Sequence, residues 1–301
     1  MKKTILALSL LCAACLYSGA QTVPSLLIGY GAAESGYAGA SVASGAGARA
    51  VDVNPAAMSL YDGTMAVSVS GGIWQPDAAS DIMVGASGFA CLGEKFAIGA
   101  GFKLFNQPSY EVVSGNGAYS QVDGKFTPSD LSVSIGASYF IGGGLSAGIT
   151  ARYISSSLAG NAKASSVMAD IALAYSASGL NAALVVANLG GGLKYSETSY
   201  SLPSLVKAGV SYDIIKGLRA MAEVDYLFEG AMMASLGGEY WIRDIVAARL
   251  GYHYGDEAKA IPSYASGGLG VKFKGVSLDA SCLFASETLG GSMVFTLGYS
   301  F

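Results

Sequence analysis

The stretch LSVSIGASYFI, residues 131–141, alternates large apolar side chains with serine and glycine. One face carries Leu, Val, Ile, Ala, Tyr and Ile, and the other carries Ser, Ser, Gly and Ser before the alternation ends. A period of two is that of a β-strand, whose side chains point alternately to opposite faces. The stretch is longer than the usual globular strand of about five or six residues, and it matches a strand that crosses a bilayer at a tilt.

The same alternation recurs along the chain and predicts about 14 strands. They span residues 64–74, 81–91, 95–107, 129–141, 144–158, 164–177, 179–189, 203–213, 217–229, 231–243, 245–256, 264–274, 275–287 and 289–301. We therefore predict an all-β fold, a transmembrane antiparallel β-barrel, because an even number of strands returns both barrel ends to one side of the membrane. A secreted β-sandwich is the alternative for an exported apolar chain of this kind.

The connections between these strands favour the barrel. Even-numbered connections are tight, such as residues 142–143, whereas several odd-numbered ones are longer, such as residues 108–129. Short turns on one side and longer loops on the other are typical of outer-membrane barrels. A sandwich has no reason to sort its loop lengths in this way.

Residues 1–20 predict a signal peptide. Lys2 and Lys3 form a positive start, an apolar run follows, and small residues precede Gln21. Lipidation at Cys15 is the alternative. Cys12 argues against it, because the residue three before a lipidated cysteine is normally Leu, Val or Ile. After the signal no apolar run reaches the roughly 18 residues of a membrane helix. We expect export to the outer membrane of a Gram-negative cell.

Charge and cysteine content exclude several classes of protein. Removal of Lys2 and Lys3 lowers the 17 basic residues to 15 against 21 acidic ones, and the net charge from −4 to −6. A nucleic-acid partner would need a basic surface, so none is expected. Cys91 and Cys282 make no metal-ligand spacing, and we interpret them as small apolar side chains, with a disulfide between them as the alternative.

The polar faces of the strands are predicted to line the lumen. The charged and titratable residues placed there are Lys103, Arg152, Asp170, Lys207, Glu223, Asp225, Glu239, Arg243, Arg249 and His253. Charges in a narrow lumen are costly unless paired or hydrated, so we expect an ionic network across the barrel. A transport or ligand role for any of these residues is the alternative.

No cluster of residues argues for catalysis. His253 is the sole histidine, so a Ser-His-Asp triad could use no other, and no Gly-x-Ser-x-Gly elbow accompanies it. We therefore expect a protein that is not an enzyme, with no catalytic residue, no cofactor and no metal.

The chain is predicted to comprise a signal peptide (residues 1–20), a plug (residues 21–63) and the barrel (residues 64–301). Within the plug, Asn54, Pro55 and Ala56 stand out, because Pro55 prevents strand continuation and Asn54 should be extended before it. The polar Asp52 and Asn54 are expected to meet lumen charges. Phe301 ends an alternating apolar strand and is predicted to act as a C-terminal insertion signal.

Ordered segments of the sequence resemble the PorV/PorQ family, a branch of the FadL-like outer-membrane barrels. They begin with Leu26-Leu27-Ile28, the glycines of residues 36–39 and Asn54-Pro55-Ala56. They continue with ALVVANLGG (183–191), LPSLVKAGVSY (202–212), GGEYWIRDIVAARLGY (237–252) and GGLGVKFKGVSLD (267–279). The resemblance implies a fourteen-stranded barrel whose N-terminal segment enters the lumen.

The resemblance implies a role in the type IX secretion system, in the secretion or surface attachment of cargo proteins. The implied partners are outer-membrane lipid, the barrel-assembly machinery, type IX secretion components and the C-terminal domains of the cargo. FadL-like relatives instead pass hydrophobic small molecules, such as long-chain fatty acids, through a lateral opening. Two alternatives therefore stay open: a FadL-like channel, and a structural barrel without transport.

Overall fold

The computed structural model describes residues 23–45, 47–114, 121–158, 162–256 and 260–301. The predicted signal peptide, residues 1–20, lies outside the described residues. In the described ranges, no helix is both long enough and apolar enough to cross a membrane.

Strands dominate the described ranges. In chain order they are β1 (Met65–Trp74), β2 (Asp81–Leu92), β3 (Phe96–Asn106), β4 (Tyr110–Ser114), β5 (Gln121–Phe126), β6 (Ser129–Gly142), β7 (Leu145–Ser157), β8 (Lys163–Ala177), β9 (Leu180–Gly190), β10 (Leu193–Tyr195), β11 (Thr198–Tyr200), β12 (Leu205–Ile215), β13 (Leu218–Leu227), β14 (Ala231–Ile242), β15 (Val246–Tyr254), β16 (Tyr264–Phe273), β17 (Val276–Phe284) and β18 (Met293–Ser300).

In the described part of the chain, fourteen of these strands form one closed antiparallel barrel. Each pairs with its sequence neighbours, except that β3 pairs with β6 and β9 with β12. The barrel closes where β1 pairs with β18, through a register that joins Ala66 to Ser300 and Ile73 to Met293. This confirms the predicted closed barrel and excludes the sandwich, because closure leaves no sheet edge.

The strand β6, which contains residues 131–141, shows how the alternation determines the two faces of the barrel wall. Val133 and Ile135 on one face are 42% and 64% exposed, whereas Ser132, Ser134 and Ser138 on the other face are buried. The exposed face is therefore the apolar one, the reverse of a soluble sheet. An antiparallel barrel whose apolar side chains face outward is suited to lipid.

The outward face is apolar around the whole wall. Leu250 on β15 and Leu269 on β16 are 68% and 65% exposed, and Phe295 on β18 is 53% exposed. Soluble monomers rarely expose contiguous apolar patches larger than a few hundred Å². The exterior is therefore the lipid-facing surface of a membrane-spanning barrel.

The connections sort by length as the sequence predicts. At one end, hereafter the turn end, the strands join through two or three residues, such as Gly143-Gly144 between β6 and β7. Both glycines have positive φ, at 62° and 84°, which side chains with a Cβ rarely adopt. The longer connections gather at the opposite end, hereafter the loop end.

Two loop-end connections hold short hairpins that the sequence analysis assigned to loops. They are β4 with β5 and β10 with β11, each a separate two-stranded sheet. Neither contributes to the wall. Strands of three to six residues carry too few alternating positions to be distinguished from loops by pattern.

The described residues of the N-terminal segment, 23–45 and 47–61, form short helical turns and no strand. Ala50–Val53 is a helix and Pro55–Leu60 is a 3-10 helix that has Pro55 at its first position. Proline suits that position because it has no N–H to leave unpaired. Asn54 between them is extended, with φ −155° and ψ 90°, as predicted for a residue before proline.

Candidate functional site

The N-terminal segment contacts inward-facing groups of strands all around the wall. The Ala32 N–H donates to Thr296 Oγ1 of β18 at 2.9 Å, and the Ser41 N–H donates to Glu223 Oε2 of β13 at 2.6 Å. On the other side, Thr150 Oγ1 of β7 donates to the Val51 carbonyl at 2.8 Å. These bonds satisfy backbone groups of a segment that has little regular structure of its own.

Wall glycines make room for this segment. A Cβ at Gly148 of β7 would lie 2.4 Å from the Ala56 nitrogen, and one at Gly251 of β15 would lie 2.4 Å from the Tyr37 carbonyl carbon. Distances below about 3.0 Å do not occur for real Cβ atoms. The inward glycines are therefore sites of close backbone approach.

Asn54, Pro55 and Ala56, the predicted plug motif, are buried. Asn54 Nδ2 donates to the Val42 carbonyl at 2.7 Å, and its Oδ1 accepts from the Ala56 N–H at 3.1 Å. Ser146 Oγ of β7 donates to the Ala56 carbonyl at 2.7 Å. The motif therefore ties two parts of the segment to each other and to the wall.

A polar cluster within the segment joins the buried Tyr30, Glu34 and Arg49 to the half-buried Asp52. The Arg49 guanidinium lies over the Tyr30 ring at 3.6 Å, with Nε 3.4 Å from Glu34 Oε1, and the Tyr30 hydroxyl donates to Asp52. Burial, with the Asp52 carboxylate beside it, raises the pKa of the Tyr30 phenol, so it keeps its proton at neutral pH. Glu34 and Arg49 lie in no periodic pattern, and for that reason they were not predicted from the sequence.

Arg152 joins the wall to the segment. Its Nη2 lies 2.9 Å from Asp170 Oδ2 and 3.9 Å from Asp52 Oδ1, and it donates to the Asp52 carbonyl at 3.2 Å. Its Nη1 donates to Asn188 Oδ1 at 3.2 Å. The structure thus brings the two predicted residues Arg152 and Asp170 together with Asp52.

The wall is irregular at Asn188. The register of β8 against β9 shifts between Ala169 and Ile171, and Asn188 has a left-handed φ of 58°. Asp170 Oδ1 accepts from the Asn188 N–H at 2.7 Å, and Asn188 Nδ2 donates to the Pro203 carbonyl at 2.9 Å. Hydrogen bonds from side chains thus replace the backbone hydrogen bonds of the sheet at the point where β9 stops pairing with β12. Bulges of this kind often accompany functional sites.

Lys207, Glu223 and Asp225 form a second cluster. Lys207 Nζ lies 3.1 Å from Glu223 Oε1 and 3.2 Å from Asp225 Oδ2. The other Glu223 oxygen accepts the N–H groups of Ser41 and Val42, at 2.6 and 2.7 Å. Glu223 therefore links the wall to the segment by charge-assisted hydrogen bonds.

Arg249, Glu239 and Asp279 form a third cluster. Arg249 Nε lies 2.7 Å from Glu239 Oε2, and its Nη1 lies 2.7 Å from Asp279 Oδ1. Asp279 was not predicted from the sequence, although the alternation along β17 places it on the same face as Ser281. Within the described ranges, the charges therefore meet in separate local clusters.

Lys103 and His253, the other predicted lumen residues of the wall, have neutral partners. Lys103 Nζ donates to the carbonyls of Ser25 and, at 2.6 Å, Ile28, which holds the start of the segment. His253 Nδ1 lies 2.8 Å from Ser235 Oγ, and its ring stacks on Tyr264 at 4.9 Å.

Arg243 was predicted in the lumen, and the structure corrects this. It is exposed in the turn after β14, with a left-handed φ of 54°. The predicted strand ran one residue too far. Beyond the last extended residue, side chains no longer alternate between two faces, so parity does not assign Arg243 a side.

A cavity of about 650 Å³ opens at the loop end, between the start of the segment and the strand ends. Its apolar lining includes Leu27, Ile28, Trp74, Phe105 and Leu289. This is the size of pocket that holds a drug-sized ligand. None of the predicted site residues lines this cavity, because the lining comes from loops and strand ends that are distant in sequence.

Two smaller cavities follow toward the turn end. A narrow central one of about 140 Å³ shares Ile28 and Trp74 with the loop-end cavity. A turn-end one of about 290 Å³ shares Glu34 and Arg49 with the central cavity. The central cavity therefore adjoins both of the others, and the Arg49–Glu34 pair lies at its boundary with the turn-end cavity.

Three further sequence predictions concern metal binding, the two cysteines and Phe301. In the described ranges, no group of three or more His, Cys, Asp or Glu side chains could hold a metal ion. Cys91 and Cys282 are free thiols, on β2 and β17. Phe301 is 53% exposed and packs edge-on against Tyr299, with ring centroids 4.3 Å apart.

Solved structures resemble this fold closely. The toluene transporter TbuX of Ralstonia pickettii superposes with a TM-score of 0.70 at 14% identity, over 91% of this chain and 99% of TbuX. The toluene transporter TodX of Pseudomonas putida gives 0.64 at 16% identity, over 91% and 98%. A FadL homologue of Pseudomonas aeruginosa gives 0.58 at 13% identity, over 91% and 99%.

The fold of this chain is therefore FadL-like. Identities this low establish the fold alone. No protein-family model and no curated protein matches the sequence, so the resemblance to PorV/PorQ stays a prediction.

Proposed function

We propose that this chain is an outer-membrane channel for hydrophobic small molecules, of the FadL-like kind. The observation that carries the proposal is the loop-end cavity of about 650 Å³ with its largely apolar lining. The fold neighbours include proteins described as toluene transporters. A protein of this kind would bind its substrate from outside and pass it inward without chemical change, so it is not an enzyme.

In this proposal, residues 21–63 are a plug that closes the lumen. Support comes from the hydrogen bonds to Thr296, Glu223 and Thr150, and from the close approach to Gly148 and Gly251. The central cavity, at about 140 Å³, is much smaller than the loop-end cavity that it adjoins. Substrate would leave the loop-end cavity through local displacement of the plug, or sideways into lipid at the Asn188 bulge.

Cellular uptake tests the proposal. The protein is expressed in Gram-negative cells that lack hydrocarbon channels, and toluene uptake is measured at low concentration. We expect faster uptake than in cells without the protein. Ser129→Trp, which places a large ring in the cavity lining, should abolish the increase, whereas Ser109→Trp on the exposed loop surface should not. If the protein does not speed uptake, or if Ser129→Trp leaves the increase unchanged, the channel proposal is refuted and the structural barrel without transport remains.

A type IX secretion role is the second candidate, favoured by the N-terminal segments that resemble PorV/PorQ. It would add secretion components and cargo C-terminal domains as partners, besides lipid and the barrel-assembly machinery. Deletion of the gene should then reduce surface display of cargo proteins. Unchanged display, together with protein-dependent toluene uptake, would leave the channel as the function.

A further inference from the structure

The charged side chains of the loop-end cavity are all acidic, and the other polar side chains of its lining are serine and glutamine. Asp81, Asp130 and Glu229 line it, and among the described residues of its lining there is no Lys, Arg or His. Elsewhere in the interior, carboxylates meet Arg152, Lys207 or Arg249. The cavity therefore combines an apolar lining with negative charge that its own lining does not neutralise.

Hydroxyl groups, which carry no charge, bind two of these carboxylates. Ser25 Oγ donates to Asp130 Oδ2 at 2.6 Å, and Ser201 Oγ donates to Glu229. Lys103, which holds the segment below the cavity, gives its ammonium hydrogens to the backbone carbonyls of Ser25 and Ile28. Lys103 is close enough to Asp130 to balance part of its charge, whereas Asp81 and Glu229 form no ion pair among the described residues, so their negative charge is left for a ligand to balance.

Asp81 marks where such a ligand would bind. It begins β2, its exposed fraction is 4%, and its Oδ1 is buried without a hydrogen-bond partner among the described residues. A buried carboxylate oxygen without a donor is costly, and such groups in native proteins call for an explanation. An ammonium group supplies both the missing N–H donor and the opposite charge.

We propose that the loop-end cavity selects apolar amines in their protonated form, with the ammonium group at Asp81. The apolar body would lie against Trp74, Phe105 and Leu289, which share the lining. A fatty-acid carboxylate of the same length is disfavoured, because it would bring a like charge to a site of low dielectric. This inference rests on the proposed channel function and names its substrate class.

Tryptophan fluorescence gives a direct test, because the chain has two tryptophans and Trp74 lines the cavity. Trp241→Phe, at the turn end, leaves Trp74 as the reporter. The purified full chain in detergent is titrated at neutral pH with 3-phenylpropylamine, propylbenzene and 4-phenylbutyrate, which share one apolar body. We expect the amine to bind about tenfold more tightly than the carboxylate, and more tightly than propylbenzene.

The carboxylate is tested by substitution. Asp81→Asn should weaken amine binding about tenfold and leave propylbenzene binding within about twofold. Asp77→Asn is the matched control, since Asp77 is exposed in the adjoining loop and does not line the cavity. Heat-modifiable gel mobility confirms that each barrel is folded. If Asp81→Asn does not fold, Glu229→Gln replaces it, with an expected loss of amine preference.

The outcomes distinguish a failure of the amine proposal from a failure of the channel proposal. Binding of propylbenzene without preference for the amine, or an amine preference that Asp81→Asn leaves intact, overturns the amine proposal and leaves the hydrophobic channel. If none of the three compounds changes the Trp74 emission, the channel proposal fails and the amine proposal fails with it.

Discussion

Alanine at Gly237 adds one methyl group where β14 touches the N-terminal segment. Its Cβ would lie 2.6 Å from the Tyr37 Cβ and 2.7 Å from the Tyr37 carbonyl oxygen. Carbon atoms pack at about 3.5–4.0 Å, so the backbone of the segment must move by about 1 Å. Overpacking of this kind costs about 1–3 kcal/mol, which raises the population of displaced segment about 5- to 150-fold. The barrel ladder itself is untouched.

Gly238 provides the matched control in the same strand. A Cβ there would have its nearest neighbour, the Arg219 carbonyl oxygen, at 3.9 Å. Gly238→Ala therefore adds the same methyl group one residue away, on the other face, without displacing the segment. Both variants should retain the heat-modifiable mobility of a folded barrel.

Trypsin reports the displacement. Arg49 is the sole Lys or Arg between residues 23 and 63, and its exposed fraction is 4%. Cleavage after it requires an opened segment, and its rate follows the open population when reclosing is fast. Mass spectrometry of the Arg49–Ala50 cleavage should show an increase of about 5- to 150-fold for Gly237→Ala and none for Gly238→Ala. Equal rates in both variants, or rapid cleavage of the unmodified protein, would refute the plug.

The remaining predictions concern three single residues. Arg152→Met leaves buried carboxylates uncompensated and should destabilise the folded protein by about 3–5 kcal/mol in urea titrations, whereas Lys216→Met at an exposed turn pair should leave the midpoint unchanged. Tyr30→Phe removes a hydrogen bond to Asp52 worth about 1.5–3 kcal/mol and should speed the same tryptic cleavage. Because the pKa of the Tyr30 phenol is raised, the stability that its hydroxyl contributes to the folded protein should be complete below pH of about 10 and decline at higher pH. A stability difference between the unmodified protein and Tyr30→Phe that stays constant from below to above this pH would contradict the prediction. Phe301→Ser should lower the yield of assembled barrel in outer-membrane fractions, and an unchanged yield would exclude an insertion signal.

Period-two alternation was enough to predict the wall. Each of the predicted strands corresponds to a barrel strand, because a strand between lipid and a packed interior must present unlike faces over its whole length. Errors fall where alternation stops. Arg243 lies one residue beyond the end of β14, and the final strand begins at Met293 instead of residue 289. Leu289 instead packs with Trp74 and Met83 in an apolar cluster.

The sequence alone determined the barrel, its lipid-facing side, the division into short and long connections and most of its inward charges. Each of these features follows from the order of residues that are close together in the chain. The tertiary structure alone decided which charges meet. Arg152 donates to Asp52, which is 100 positions away in the sequence. The need for glycine at position 251 of the wall is visible only from its contact with Tyr37. The loop-end cavity is likewise invisible in the sequence, since Ile28, Trp74 and Leu289 come together only when the barrel closes.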